Sequence, residues 1–156
     1  MRAGKICSGL LALSLLALSA CYYPQEGALS EEARTELAIY AGKSVSIQKK
    51  YIKLMDVMAL LLKEGLEIGD NDVAMDHLRT FYHNNTTALK QISHEFNGWY
   101  RYSTSQERSD FFKAINEQPS AAQLKWMVPQ FRNRISYNLD WENEYNILVG
   151  FLDIHR

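Results

Sequence analysis

The chain has 156 residues, 47% of them hydrophobic and eighteen aromatic (nine Tyr, six Phe, three Trp), and its 17 basic residues nearly balance 18 acidic ones for a formal net charge of −1. Nucleic-acid binding leaves a footprint of clustered excess basic charge, which this balance excludes. Only two cysteines are present, Cys7 and Cys21, too few for the disulfide framework of a small secreted scaffold.

The first segment reads in three parts: a positive start with Arg2 and Lys5, an apolar run from Ile6 to Leu18, and the small residues Ser19 and Ala20. That order marks a secretory signal over residues 1–20. The run is too short to cross a hydrocarbon core of about 30 Å, which takes about 20 residues as a helix. No stop-transfer charges follow it.

Placed behind that run, Leu18-Ser19-Ala20-Cys21 resembles the lipobox of bacterial lipoproteins, and the resemblance covers the signal alone. It implies that the Cys21 thiol takes a diacylglycerol, that the chain is cut before Cys21, and that the new amino group is usually acylated. Each buried methylene contributes about 0.8 kcal/mol and stable anchoring takes two signals, so two or three chains on one residue suffice. An aspartate directly after the cysteine commonly retains Gram-negative lipoproteins at the inner membrane. Here Tyr22 follows, so the resemblance implies the outer membrane, with the domain facing the periplasm. The competing reading is an ordinary signal cut after Ala20, which leaves Cys21 unmodified.

With residues 1–20 removed, Cys21 is the sole cysteine in a chain bound for an oxidising compartment, so neither an intrachain disulfide nor a cysteine metal cluster is expected. Basic residues fall to 15 against 18 acidic, about −3 in all. The cluster Lys49-Lys50-Lys53 shares a helix with Asp56 and Glu64 and reads as a charged, solvated face. Residues 21–29 form the lipidated end and a tether, of which the eight residues after Cys21 span at most about 26–29 Å. Pro24 and Gly27 suit a linker, and Tyr22 and Tyr23 suit the headgroup level. Residues 30–156 then make one domain, large enough to bury roughly two thirds of its unfolded surface.

That domain is expected to be all-α, an antiparallel bundle of about four helices. Ser30 before Glu31 and Glu32 suits a cap followed by negative charge at the positive end of a helix. Leu37, Ala41, Val45, Ile52, Met55, Ala59, Leu62 and Leu66 then keep helical spacing over roughly 30–66, with Gly65 and Gly69 as its end. A second helix over 71–99 follows the turn Asp70-Asn71-Asp72, with a seam of Leu78, Tyr82, Asn85, Leu89, Ile92, Phe96 and Trp99. Thr104 to Glu107 and Ser120 to Gln123 have capping-box spacing. They predict a short helix over 105–116 and a last helix from about 120 that Pro129 kinks or breaks.

No motif assigns a metal or a catalytic residue. His77, His83, His94 and His155 lack the three- or four-residue spacing of a zinc helix, and His94-Glu95 has no second histidine. Asp70-Asn71-Asp72 with Asp76 begins like a calcium loop, but Ala74 and Met75 occupy the positions of a ligand and of the turn glycine. Glu142 and Glu144, two apart on a helix, point to different sides. No cofactor is expected beyond the acyl groups on Cys21.

Two oddities remain. Asn85 falls on the apolar seam, either as a buried amide that fixes register, with Asn138 as a candidate partner, or at a break of the helix at Asn84-Asn85. Aromatics also crowd around Phe96 to Tyr102 and from Tyr137 through Trp141 to Tyr145. Phe96 and Trp99 belong to the seam, whereas Tyr100, Arg101 and Tyr102 leave it at an expected loop and are the candidate binding residues. The expected function is a membrane-tethered, non-catalytic helical module that docks a protein partner in the envelope, in secretion or in toxin neutralisation, without nucleic acid. The alternative is a cell-wall-fragment binding protein or hydrolase using aromatics and a carboxylate or histidine.

Overall fold

The computed structural model describes residues 37–150; the lipobox with Cys21, the tether and the Ser30 cap lie outside the described residues. The described chain is an all-α bundle: a helical stretch over 37–42, then α1 (Ile47–Glu67), α2 (Asn71–Tyr102), α3 (Ser105–Asn116), α4 (Pro119–Ile135) and α5 (Leu139–Val149). α1 is the central element, packed most extensively against α4 and then α2. It runs antiparallel to α2, since Lys50 meets Glu95 while Glu64 meets His77.

The helix expected over 30–66 is divided at 43–46. The Ser46 hydroxyl accepts from Lys49 N and starts α1 afresh, as an N-cap serine does for an orphan amide. The apolar spacing passes through this break because Leu37 and Ala41 bury onto the same core as Leu54, Met55 and Leu62. Nor does Gly65 end α1, which continues to Glu67. A Cβ at Gly65 would lie 2.8 Å from Phe131 Cε2 and 3.2 Å from Leu78 Cδ1, so this glycine lets α4 and α2 approach α1 closely.

α2 runs unbroken through Asn84-Asn85 to Tyr102, about 48 Å at 1.5 Å per residue. Asp70 caps it by accepting from Val73 N at 3.1 Å. Asn85 is buried, 3% exposed, and its Nδ2 donates to Phe81 O at 2.8 Å within the same helix. Asn138 is not its partner. Its Oδ1 accepts from Asp140 N and Trp141 N at 3.1 and 3.3 Å, capping α5.

α3 has the predicted bounds, and its capping box is complete: Glu107 N donates to Thr104 Oγ1 while Thr104 N donates to Glu107 Oε2. The second predicted box is not used. α4 starts instead with Pro119 in its first turn, where the missing N–H costs nothing, and Ser120 is buried inside the helix. Pro129 does not stop α4, which continues to Ile135; the last helix divides at 136–138 instead. Tyr145 ties the two halves together, stacking on Phe131 with centroids 5.2 Å apart and donating its hydroxyl to Val128 O at 3.0 Å. Burial pushes the Tyr145 phenol well above its ordinary range.

Candidate functional site

The antiparallel course of α1 and α2 gives the bundle two ends of different make. At the end where α2 finishes, Tyr100, Arg101 and Tyr102 form its last turn and not a loop. Tyr102 projects with 84% of its surface exposed, and Arg101 is exposed beside it. Tyr100, 38% exposed, is half part of a packed cluster: its ring lies 5.8 Å from Phe96 and 6.5 Å from Phe112, with the Arg108 guanidinium 4.9 Å from its centroid. Beneath it, Phe111 of α3 packs 4.4 Å from Trp99 and 5.7 Å from Tyr51. The seam thus supplies the floor, as its spacing predicts, and α3 folds back over it.

Next to this floor lies a buried cation. Lys50 is 4% exposed, correcting the expectation of a solvated lysine face, and its Nζ donates to Ala41 O at 2.8 Å while pairing with Glu95 at 2.7 Å. Gln91 Nε2 also donates to Ala41 O, at 2.6 Å, and to Glu95 Oε1 at 3.2 Å. Burial pushes the Glu95 carboxyl up, but hydrogen bonds from Lys50 and Gln91 and the charges of Lys50 and His94 hold it below its ordinary value. The available sequence signal is that Lys50 stands four residues before Leu54, in line with the buried Val57 and Leu61.

At the other end, the turn between α4 and α5 exposes Tyr137 (68%) and Leu139 (73%). Their positions are held. The Tyr137 hydroxyl accepts from Asn71 Nδ2 at 3.2 Å, and its ring meets half-buried Trp141 edge-on at 5.6 Å. Arg134 braces the same corner, donating to the carbonyls of Gly65 and Leu66 at 2.9 and 3.4 Å and to Asn71 Oδ1. Because α1 has no basic residue in its last turn, Arg134 serves as its C-terminal cap from another helix. The aromatic run from Tyr137 to Tyr145 is therefore split, its first members on the surface and its last in the core.

Two clefts flank α2. One of about 290 Å³ is lined by Leu54, Ile92, Phe96 and Ile147 with Ser93 and Asn97. The other, about 650 Å³, holds Arg79, Tyr82, His83 and Glu144. Within it, Arg79 Nε donates to both Glu144 oxygens at 2.9 and 2.8 Å and Nη1 to Asp76 at 2.8 Å, which holds the guanidinium firmly protonated. His77 pairs with Glu64 at 2.9 Å. Among the described residues no group of three His, Cys, Asp or Glu side chains is placed to hold a metal ion, and no helix is long and apolar enough to cross a membrane. Comparison with protein-family models, with curated proteins and with solved structures found no match.

Proposed function

We propose that this chain is a lipid-anchored envelope protein, held at the outer membrane through Cys21 and facing the periplasm, that acts as a non-catalytic helical module docking a protein partner. The docking part is carried by one observation: Tyr102 at one end of α2, and Tyr137 with Leu139 at the other, keep most of their surface in water while standing on helix ends or braced turns. Interfaces draw much of their energy from such aromatic anchors, and anchors already held in place lose little freedom on binding. The anchoring part rests on the lipobox.

The test is crosslinking in envelope membranes, comparing the native chain with Cys21→Ser and with paired alanine substitutions at Tyr100 and Tyr102 or at Tyr137 and Leu139. A membrane-associated native chain whose partner is lost in one paired variant supports the proposal. A native chain found free in the soluble periplasm sinks the anchor, and an unchanged partner set in both paired variants sinks the docking surfaces.

The cleft with Tyr82, His83 and Glu144 supports a second reading as a cell-wall-fragment binder or hydrolase. Both Glu144 oxygens already accept from Arg79, which opposes a general-base role. Turnover of peptidoglycan fragments that His83→Ala or Glu144→Gln abolishes would replace docking with catalysis.

A further inference from the structure

We propose that the Tyr137–Leu139 end is a docking surface for a basic, amphipathic protein segment, an inference that rests on the docking reading and names the chemistry of the partner. Three observations carry it. First, Tyr137 and Leu139 keep most of their surface exposed at this corner, Val73 in the first turn of α2 about half of its own, and half-buried Trp141 extends the apolar surface. Second, the patch is pre-shaped: the Asn71 amide fixes the Tyr137 hydroxyl, and Arg134 fixes Asn71.

The third observation is the charge around it. Asp140 and Glu142 lie in the first turn of α5, Asp70 and Asp72 flank Asn71, and Glu67 ends α1. Among the described residues none of these five carboxylates takes part in an ion pair. Of the nearby cations, Arg79 is engaged with Asp76 and Glu144 and Arg134 with two carbonyls and Asn71, while exposed Lys63 stands four residues before Glu67 on α1. An apolar ridge rimmed by an excess of carboxylates outside any ion pair attracts an apolar segment that carries Lys or Arg, and repels one that carries Asp or Glu. The opposite end is mixed in charge, Arg101 and Arg108 standing beside Tyr100 and Tyr102 together with Glu107 and Asp110 of α3.

Two synthetic helical peptides of one apolar pattern test this, one built from Leu and Lys and the other from Leu and Glu, each titrated calorimetrically into the purified protein. The Lys peptide is expected to bind at least tenfold more tightly, with an affinity that falls as salt rises. Tyr137→Ser with Leu139→Ser should weaken it at least tenfold, and Asp72→Asn with Asp140→Asn several-fold with a flatter salt dependence. Tyr102→Ser should leave it unchanged. Equal binding of the two peptides, undiminished binding by the Tyr137→Ser, Leu139→Ser variant, or loss on Tyr102→Ser overturns the inference. A photo-crosslinker placed in cells at position 139 or 102 separates the two levels. Protein crosslinks at 139 without a preference for the Lys peptide overturn only the charge chemistry, whereas no protein crosslink at either position overturns the docking reading as well.

Discussion

The two ends of α2 both carry aromatic residues and treat them in opposite ways. Where α2 finishes, α3 turns back and lays Phe111 against Tyr51, Phe96 and Trp99, so that most of the rings are covered, Tyr100 in part, while Tyr102 stands clear. Where α2 begins, polar groups do the joining. Arg134 and Asn71 tie α1, α2 and α4 together through carbonyls and an amide, and Tyr137 and Leu139 stay outside. An aromatic cluster in a sequence is therefore a capacity for burial, and the arrival of another element decides whether it is used.

The largest test of this contrast is truncation of a ring at each end. Phe111→Ala should cost about 3–5 kcal/mol in urea unfolding, the range for emptying a buried Phe site. Tyr137→Ala should stay within about 0.5 kcal/mol, as exposed positions do. Equal losses at the two ends would erase the distinction between packed and presented aromatics.

Lys50→Met should come next, at about 2–4 kcal/mol, because it leaves Glu95 unpaired and removes a donor from Ala41 O. Its signature is amide exchange: protection over residues 37–46 should fall while that of α4 and α5 persists, and uniform loss would show that the break at 43–46 is not held locally. Gly65→Ala sharpens the far end. A helical alanine ordinarily stabilises by about 1 kcal/mol over glycine, yet the close approach of Phe131 should reverse the sign to a net loss of about 1–2 kcal/mol in thermal or urea unfolding.

The smallest effect is that of acid. The Glu95 carboxyl is held below its ordinary value of 4.5, so its contribution is present above that pH and is lost as pH falls through the depressed folded value. Glu107, lowered by the Thr104 backbone and hydroxyl donors, titrates in the same direction at the same end. Amide protection over residues 37–46 should therefore drop below about pH 4.5 in the native chain and lose that pH dependence in Glu95→Gln. An identical acid profile in the variant would remove Glu95 from the account.

Much of this was legible before any coordinates. The bounds of α3 and the continuous seam of α2 followed from spacing and from the Thr104–Glu107 box, because both are local devices between residues three or four apart. The candidate trio was half legible. Tyr102 and Arg101 are exposed as expected, but Tyr100 is partly claimed by Phe96, Phe112 and Arg108, two of which belong to α3. The far-end surface was visible only as an aromatic run, since nothing in the spacing of Tyr137, Trp141 and Tyr145 says which of them meets Phe131.

What the sequence determined by itself is the helical content and the inward register of the helices, each written in neighbouring residues. Tertiary structure alone decided that the first and last predicted helices divide at 43–46 and 136–138 and that Lys50, in line with buried Leu54, finds Glu95 of α2 as its partner. It also decided which aromatics remain on the surface. The physical reason is that exposed helix-end carbonyls need donors. Ala41 O is satisfied by Lys50 and by Gln91 fifty positions away, and Gly65 O by Arg134 sixty-nine positions away, contacts that exist only once α1, α2 and α4 have packed.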